Sequence, residues 1–86
     1  MFQLEKTLKA LANKRRLAII KYLKDEGPAS VTDIAATIKL SFRSTSRHLN
    51  VLFAADILGK EQQSLQVYYF IVSKPDPLTR YILSIG

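Results

Sequence analysis

The stretch that decides the fold runs from Leu40 to Leu52 and reads LSFRSTSRHLNVL. Ser41 belongs to the residue types that cap helices, because its hydroxyl oxygen accepts a hydrogen bond from a backbone N–H that the first turn leaves unpaired. After it, the residues of one helical face recur at the i, i+4 and i+7 spacing, namely Thr45, Leu49 and Leu52. The stretch therefore predicts an amphipathic helix over residues 42–55.

The opposite face of this predicted helix is basic and rich in short hydrogen-bonding side chains. No acidic residue occurs between Asp33 and Asp56. Arginine pairs with phosphate or guanine, and serine or asparagine reaches phosphates and base edges, so such a face suits a DNA groove. The pattern predicts a DNA recognition helix, with these candidate contacts: Arg43, Ser44, Thr45, Ser46, Arg47, His48 and Asn50.

The two arginines are the strongest of these candidates. Arg43 and Arg47 lie four residues apart on one helical face, and arginine is the most frequent specific partner of guanine. The three residues between them are expected to touch phosphate or to cap the helix, and the middle one, Thr45, is also a core candidate. His48 is the only histidine, and packing at the edge of the core suits it as well as DNA contact does. One histidine cannot supply a three- or four-ligand zinc site.

Composition limits the class of protein. The chain has 86 residues, of which 48% are apolar, and a net charge of +6, so we expect one small packed domain over residues 1–86 that favours an anionic partner. It contains no cysteine, which excludes disulfides and thiolate metal sites. Neither a signal peptide nor an apolar run near the roughly 18 residues of a membrane span is visible, which predicts a cytoplasmic protein. No catalytic constellation or cofactor motif is visible, so we expect neither an enzyme nor a cofactor.

Two helices are predicted at the start of the chain. A stripe that begins with Leu4 and Leu8 predicts a first helix over residues 2–12. Asn13 is a good cap for a second helix over residues 14–26. The second helix begins with three basic residues, Lys14, Arg15 and Arg16. They could face a phosphate backbone or solvent, and solvent is the simpler interpretation.

A third, short helix is predicted over residues 31–38, with Ser30 or Thr32 as its cap. It is followed after a tight turn by the basic helix over residues 42–55. Two short helices joined in this way, the second of them basic, are typical of a helix-turn-helix.

Residues 57–72 predict a two-stranded β-hairpin. Their second half is dense in β-branched and aromatic residues, and a polar tip separates the two halves: Gln62, Gln63 and Ser64. A hairpin directly after a recognition helix is the wing of a winged helix. Lys60, Gln62 and Gln63 are candidate contacts to DNA, and the alternative is an ordinary polar hairpin tip, because phosphate would repel the neighbouring Glu61.

A last helix is predicted over residues 77–85, where Asp76 is a suitable cap and Pro77 a suitable first residue. The apolar stripes of the first and last helices either complete the domain's own core or form an interface. We favour a homodimer, because a core of three helices and a wing is nearly complete without them and a large exposed apolar stripe normally marks an interface. The candidate interface residues are Leu4, Leu8, Leu78, Tyr81, Ile82 and Ile85.

Three segments together resemble the ArsR family of winged-helix repressors. LKALANKRRLAII (residues 8–20) looks like the family's opening helix pair, VTDIAATIKLSFRSTSRHLNVL (31–52) like its helix-turn-helix, and VYYFI (67–71) like its closing wing strand. The resemblance covers residues 8–71 and is most specific in the run from Ser46 to Leu49, followed by Leu52. It implies a mainly α (α+β) winged helix-turn-helix of about five helices with a two-stranded wing.

The resemblance also implies a homodimer, built on the first and last helices, that binds a palindromic operator in double-stranded DNA and is released by a metal ion or another signal. Metal-sensing members carry a cysteine pair near the positions of Val31 and Asp33, or His, Asp or Glu ligands on the terminal helices. Here the segment from Val31 to Asp33 has no cysteine, and the last helix has no histidine or carboxylate beyond its capping Asp76. Metal sensing is therefore not expected, and the effector is unknown. Phe42 and Arg43 replace the polar, often Gln-led residues usual at the start of the recognition helix, which implies an altered operator.

The predicted function is a DNA-binding transcriptional regulator, a repressor by resemblance, that acts through the helix over residues 42–55 and the wing over residues 57–72. The alternative belongs to another class. In it, the winged helix is a protein–protein interaction module, and the same basic face meets an acidic partner protein.

Overall fold

Five helices and three strands make up the fold, which the computed structural model describes over residues 2–85. In chain order the elements are α1 (Leu4–Leu11), α2 (Lys14–Glu26), β1 (Ala29–Ser30), α3 (Val31–Ile38), α4 (Phe42–Ala54), β2 (Leu58–Gln63), β3 (Gln66–Ile71) and α5 (Pro77–Ile85). The predicted class, a mainly helical α+β winged helix-turn-helix, is confirmed.

Four helices begin at side chains that the sequence predicts as caps. In each case a side-chain oxygen accepts a hydrogen bond of 2.9–3.1 Å from a backbone N–H of the first turn: Asn13 from Arg15 and Arg16, Ser30 from Asp33, Ser41 from Ser44, and Asp76 from Thr79. Each bond satisfies a donor that the helix itself leaves unpaired. Of the two candidate caps for α3, the structure uses Ser30.

The hydrophobic core lies where α2, α3 and α4 meet the sheet. These elements contribute fully buried aliphatic side chains: Ile19, Ile20, Ile34, Leu49, Leu52 and Leu58. Burial of one such side chain stabilises the fold by roughly 1.5–3 kcal/mol. The rotation of α4 about its own axis is therefore fixed by Leu49 and Leu52, and its opposite face is held toward solvent.

The sheet has three antiparallel strands in the order β1-β3-β2, rather than the two strands expected. β1 is only two residues long and pairs Ala29 with Tyr69, too short a segment to show the alternation by which strands are recognised in a sequence. β2 and β3 form the wing, in register from Leu58 opposite Ile71 to Gln63 opposite Gln66.

The tip of the wing lies later in the chain than expected. Gln62 and Gln63 belong to β2, and the turn consists of Ser64, which has a left-handed φ of 60°, and Leu65. The sequence places Leu65 in the second strand because it adjoins an apolar run. In the structure its side chain is 96% exposed.

Each terminal helix packs one face into the core. The sequence predicts a core that is nearly complete without these two helices, whereas in the structure both contribute to it. α1 buries Ala10 and Leu11, and it contacts α5. α5 packs the half-buried Leu78 and Ile82 against the core. Among residues 2–85, no helix combines the length and the apolarity needed to cross a membrane.

Candidate nucleic-acid interface

The outward face of α4 presents three exposed polar side chains, Arg43, Arg47 and Asn50. Ser44 and Ser46 lie beside them and are half-buried. The two arginines face outward together because the buried leucines fix the rotation of α4 and because residues four apart share a helical face. The structure therefore brings five of the seven candidate residues of α4 to one side of the helix or its edges.

Neither arginine on this face is neutralised by a carboxylate of the described residues. The one ion pair found within residues 2–85 joins Lys9 and Glu5 on α1, at 3.6 Å. Unpaired guanidinium groups on an exposed helix attract phosphate and form bidentate hydrogen bonds with it or with guanine. The charge on the outer face of α4 is thus available to an anionic partner.

Thr45 lies on the other side of α4 and leaves the set of candidate contacts. Its side chain is fully buried, one turn before Leu49 on the core-facing side of the helix. Its hydroxyl oxygen has no hydrogen-bond partner among the described residues. A buried hydroxyl without a partner costs about 1–3 kcal/mol, so Thr45 is a core residue that carries a polar penalty.

His48 is half-buried and is engaged within the protein. Its Nδ1 atom lies 3.1 Å from Nη1 of Arg16. Because a guanidinium only donates, Nδ1 is the acceptor, and the neutral ring carries its proton on Nε2. Burial, then the positive charge of Arg16 and then that of Arg15 lower the pKa of His48 below its usual value. The structure thus favours the packing interpretation of His48.

Arg16 has a structural role that differs from the solvent-facing role expected. Its Nε donates to the carbonyl oxygen of Ala10 at 2.6 Å, and its Nη2 to that of Lys9 at 3.1 Å. These carbonyls belong to the last turn of α1, where a helix leaves its acceptors unpaired. One guanidinium therefore joins the end of α1, the start of α2 and, through His48, the recognition helix.

In the wing, Lys60 is turned toward α4. Its ammonium nitrogen lies 4.5 Å from the centroid of the Phe53 ring, close enough for a cation–π contact worth about 0.5–1 kcal/mol at an exposed site. Sequence reasoning offered two interpretations of Lys60, a DNA contact or an ordinary polar hairpin tip. It missed the contact with Phe53, because the two residues lie on different elements. The contact fixes the base of the wing against the end of the recognition helix.

The outer part of the wing carries exposed polar side chains. Gln62 and Gln63 are both exposed, and Nε2 of Gln62 donates to the carbonyl oxygen of Ser64 at 3.4 Å. Residues 2–85 hold no group of three or more His, Cys, Asp or Glu side chains that could take a metal ion. The surface formed by α4 and the wing is suited to binding an extended anion through hydrogen bonds and charge.

Comparison with known proteins supports this assignment of elements. The cadmium resistance transcriptional regulatory protein CadC of Listeria innocua is 38% identical over 63 residues, which are 73% of this chain and 53% of that protein. The crystal structure of the AntR antimony-specific transcriptional repressor superimposes with a TM-score of 0.77 at 32% identity, over 92% of this chain and 68% of that one. Reduced HlyU from Vibrio cholerae gives 0.81 at 26% identity, over 95% of this chain and 82% of that one.

The chain spans about half the length of the curated relative CadC. The family described as "Bacterial regulatory protein, arsR family" matches residues 13–60, which include α2, α3, α4 and the start of the wing. These are the elements that build and present the basic face, and they make up more than half of the chain. The chain therefore belongs to the arsR family of bacterial regulatory proteins.

Proposed function

We propose that this chain is a DNA-binding transcriptional repressor that inserts α4 into the major groove. The observation that carries the proposal is the outer face of α4, where Arg43, Arg47 and Asn50 are exposed and the arginines have no carboxylate partner among the described residues. The family is one of transcriptional regulators rather than enzymes. CadC is named as a transcriptional regulatory protein and AntR as a repressor, which supports the same role here.

In this proposal, the residues of α4 divide into two groups. Arg43 and Arg47 pair with guanine or phosphate, and the half-buried serines and Asn50 donate to phosphates beside them. His48 acts through Arg16 by holding the helix rather than by touching DNA. On the wing, Gln62 and Gln63 hydrogen-bond to the adjacent backbone, while Lys60 holds the wing in position through Phe53.

The terminal helices supply the second part of the proposal, a homodimer. α1 and α5 contact each other, and each leaves large apolar side chains in solvent, between 49% and 63% exposed: Leu4, Leu8, Tyr81 and Ile85. An apolar surface shared by two packed helices is typical of an interface. Leu78 and Ile82 are half-buried against the core, so in this proposal they contribute less to the interface than the four exposed side chains do.

A two-fold dimer also sets the form of the DNA site. Two copies of α4 related by such an axis read half-sites of opposite orientation, so the operator is a palindrome whose half-sites lie about 34 Å apart, one helical turn of DNA. Residues 1–86 form, in this proposal, one winged-helix domain with α1 and α5 as its dimerisation elements.

The signal that releases the protein is outside this proposal. Two relatives carry cadmium and antimony in their names, but the metals belong to those proteins. The present chain contains no cysteine and one histidine. We therefore transfer no metal from the relatives to this chain.

The test is fluorescence anisotropy on DNA from upstream of the protein's own gene and on a scrambled duplex, each at two salt concentrations. We expect tighter binding to the upstream DNA that persists at the higher salt, because base contacts add to phosphate attraction. Arg47→Ala should cost roughly 1–3 kcal/mol of binding free energy if Arg47 reads a base. Lys74→Ala, which removes one positive charge from the exposed linker between β3 and α5, is the matched control and should change the affinity little.

Two outcomes would count against the proposal. Equal binding to both duplexes that fades as salt rises would leave only generic phosphate attraction, and the protein-interaction module would then become the better hypothesis. An Arg47→Ala protein with the affinity of the wild type would remove Arg47 from the interface.

A further inference from the structure

Phe42 is an exposed aromatic side chain at the first residue of α4, with 59% of its surface in solvent. The buried side of α4 is complete without it, because Thr45, Leu49 and Leu52 are fully buried there. Single exposed apolar side chains are common on protein surfaces. The exposure of Phe42 alone therefore indicates no function, and the inference depends on its position in α4.

Two rows of side chains lie side by side at the start of α4. The exposed Phe42 and the half-buried Ser46 are four residues apart and form one row, and the exposed Arg43 and Arg47 form the other. Side chains of a helix lean toward its N-terminus, so the ring of Phe42 projects in that direction from the first residue of α4. In a helix-turn-helix, the N-terminal residues of the recognition helix are the ones that contact base edges.

The other large apolar side chains exposed on α4 are Val51 and Phe53, in its C-terminal half. The ring of Phe53 is occupied by the ammonium of Lys60. Among the described residues of α4, Phe42 is thus the one large apolar side chain at the end of the helix that meets bases.

The only apolar group on a base edge in the major groove is the C5-methyl of thymine. We propose that Phe42 reads thymine methyl groups, so that the operator of this protein carries thymine beside the bases or phosphates bound by Arg43 and Arg47. This inference rests on the proposed function, since it names the bases that the same interface prefers. It assigns to Phe42 a part in specificity that polar side chains at this position would not supply.

The experiment begins with selection of binding sites from a random duplex pool by the wild-type protein. Each thymine of the selected site is then replaced in turn by deoxyuridine, which removes the methyl group and keeps every hydrogen-bonding group of the base. We expect one or two positions per half-site to lose about fourfold in affinity each, which corresponds to about 0.8 kcal/mol for one buried carbon group. Thymines outside the contact of α4 should tolerate the change.

The protein variant Phe42→Ala then separates this contact from other causes. It should bind the thymine and deoxyuridine sites equally, because it lacks the ring that the methyl group touches. Val51→Ala truncates an exposed apolar side chain on the same helix and should keep the full sensitivity to deoxyuridine. Circular dichroism should show both variants folded, since both side chains are solvent-exposed.

The outcomes distinguish the two claims. If no sequence is enriched, the proposed function fails and the inference fails with it. If sites are enriched but no thymine is sensitive to deoxyuridine, or if Phe42→Ala keeps that sensitivity, the assignment of Phe42 is overturned while DNA binding stands. Sensitivity at one or two thymines that disappears only in Phe42→Ala supports the assignment.

Discussion

Replacing Arg16 by methionine should weaken the fold and alter the recognition helix together. Methionine keeps an unbranched apolar stem and removes the guanidinium group with its three hydrogen bonds, to the carbonyl oxygens of Lys9 and Ala10 and to Nδ1 of His48. A hydrogen bond that involves a charged group contributes about 1.5–3 kcal/mol when it is protected from water. The bond to Lys9 is exposed, whereas Ala10 is a buried residue whose carbonyl would lose its partner.

We therefore expect Arg16→Met to lower the free energy of unfolding by about 2–3 kcal/mol. For a domain of this size, each kcal/mol corresponds to roughly 4–8 °C, so the melting temperature should fall by roughly 10–20 °C. Thermal unfolding should be followed by circular dichroism at one fixed protein concentration, because dimerisation makes the midpoint depend on concentration. Arg15→Met is the matched control, since Arg15 adjoins Arg16 but its guanidinium forms no hydrogen bond with any of residues 2–85.

The same two variants should differ in the titration of His48 followed by NMR. Burial is the main reason for the lowered pKa, so the pKa should remain below its usual value in both proteins. Loss of the Arg16 charge should raise it more than loss of the Arg15 charge, which has the smaller effect. A melting temperature of Arg16→Met within about 2 °C of the wild type, a shift expected from well under 1 kcal/mol, would refute the assignment of Arg16 as a link between helices.

Three further predictions concern pH, the core and assembly. The folded-state pKa of His48 lies below the unfolded value of about 6.5, so the unfolded chain takes up more protons and stability should fall as the pH drops below about 6.5. His48→Asn, whose amide oxygen can accept from Arg16, should flatten this dependence in urea unfolding, and an unchanged dependence would assign it to another group. Thr45→Val should leave the unfolding free energy equal or raise it by up to about 1 kcal/mol, because it removes an unpartnered buried hydroxyl; a clear loss of stability would show that the hydroxyl is satisfied. Leu8→Glu should convert a dimer to a monomer in sedimentation equilibrium, with Leu65→Glu at the wing tip as the matched control, and a monomeric wild type would contradict the interface.

Local features of this sequence were predictable because their cause lies within a few residues. The caps Asn13, Ser41 and Asp76 each bind a backbone N–H two or three residues ahead, and the bounds of α2 agree with those predicted. Contacts between distant segments were not predictable in this way. Arg16 and His48 are 32 residues apart, and nothing in the sequence around either one indicates the other.

The sidedness of α4 shows where prediction of the site succeeds and fails. A period of 3.6 residues assigns Arg43 and Arg47 to one face, and they are exposed in the structure. The same period places Thr45 on the core side, yet its small polar side chain was also compatible with a DNA contact. Only the packing of Leu49 and Leu52 around the helix decides that its hydroxyl is buried.

Net charge alone would have overstated the basic surface. The chain has 13 lysines and arginines, and the structure shows several of them engaged in contacts of its own: Lys9 with Glu5, Arg16 with α1 and His48, Lys24 with the carbonyl oxygen of Leu83, Lys60 with Phe53 and Arg80 with the carbonyl oxygen of Pro75. The contacts of Arg16, Lys24 and Lys60 join different elements, whereas those of Lys9 and Arg80 are local. An anionic partner would have to compete with all of these contacts. Arg43 and Arg47 differ because α4 holds them outward without a carboxylate partner among residues 2–85. Removal of Arg43 or Arg47 should therefore lower the DNA affinity more than removal of one of the other positive charges, although each change alters the net charge of the protein equally.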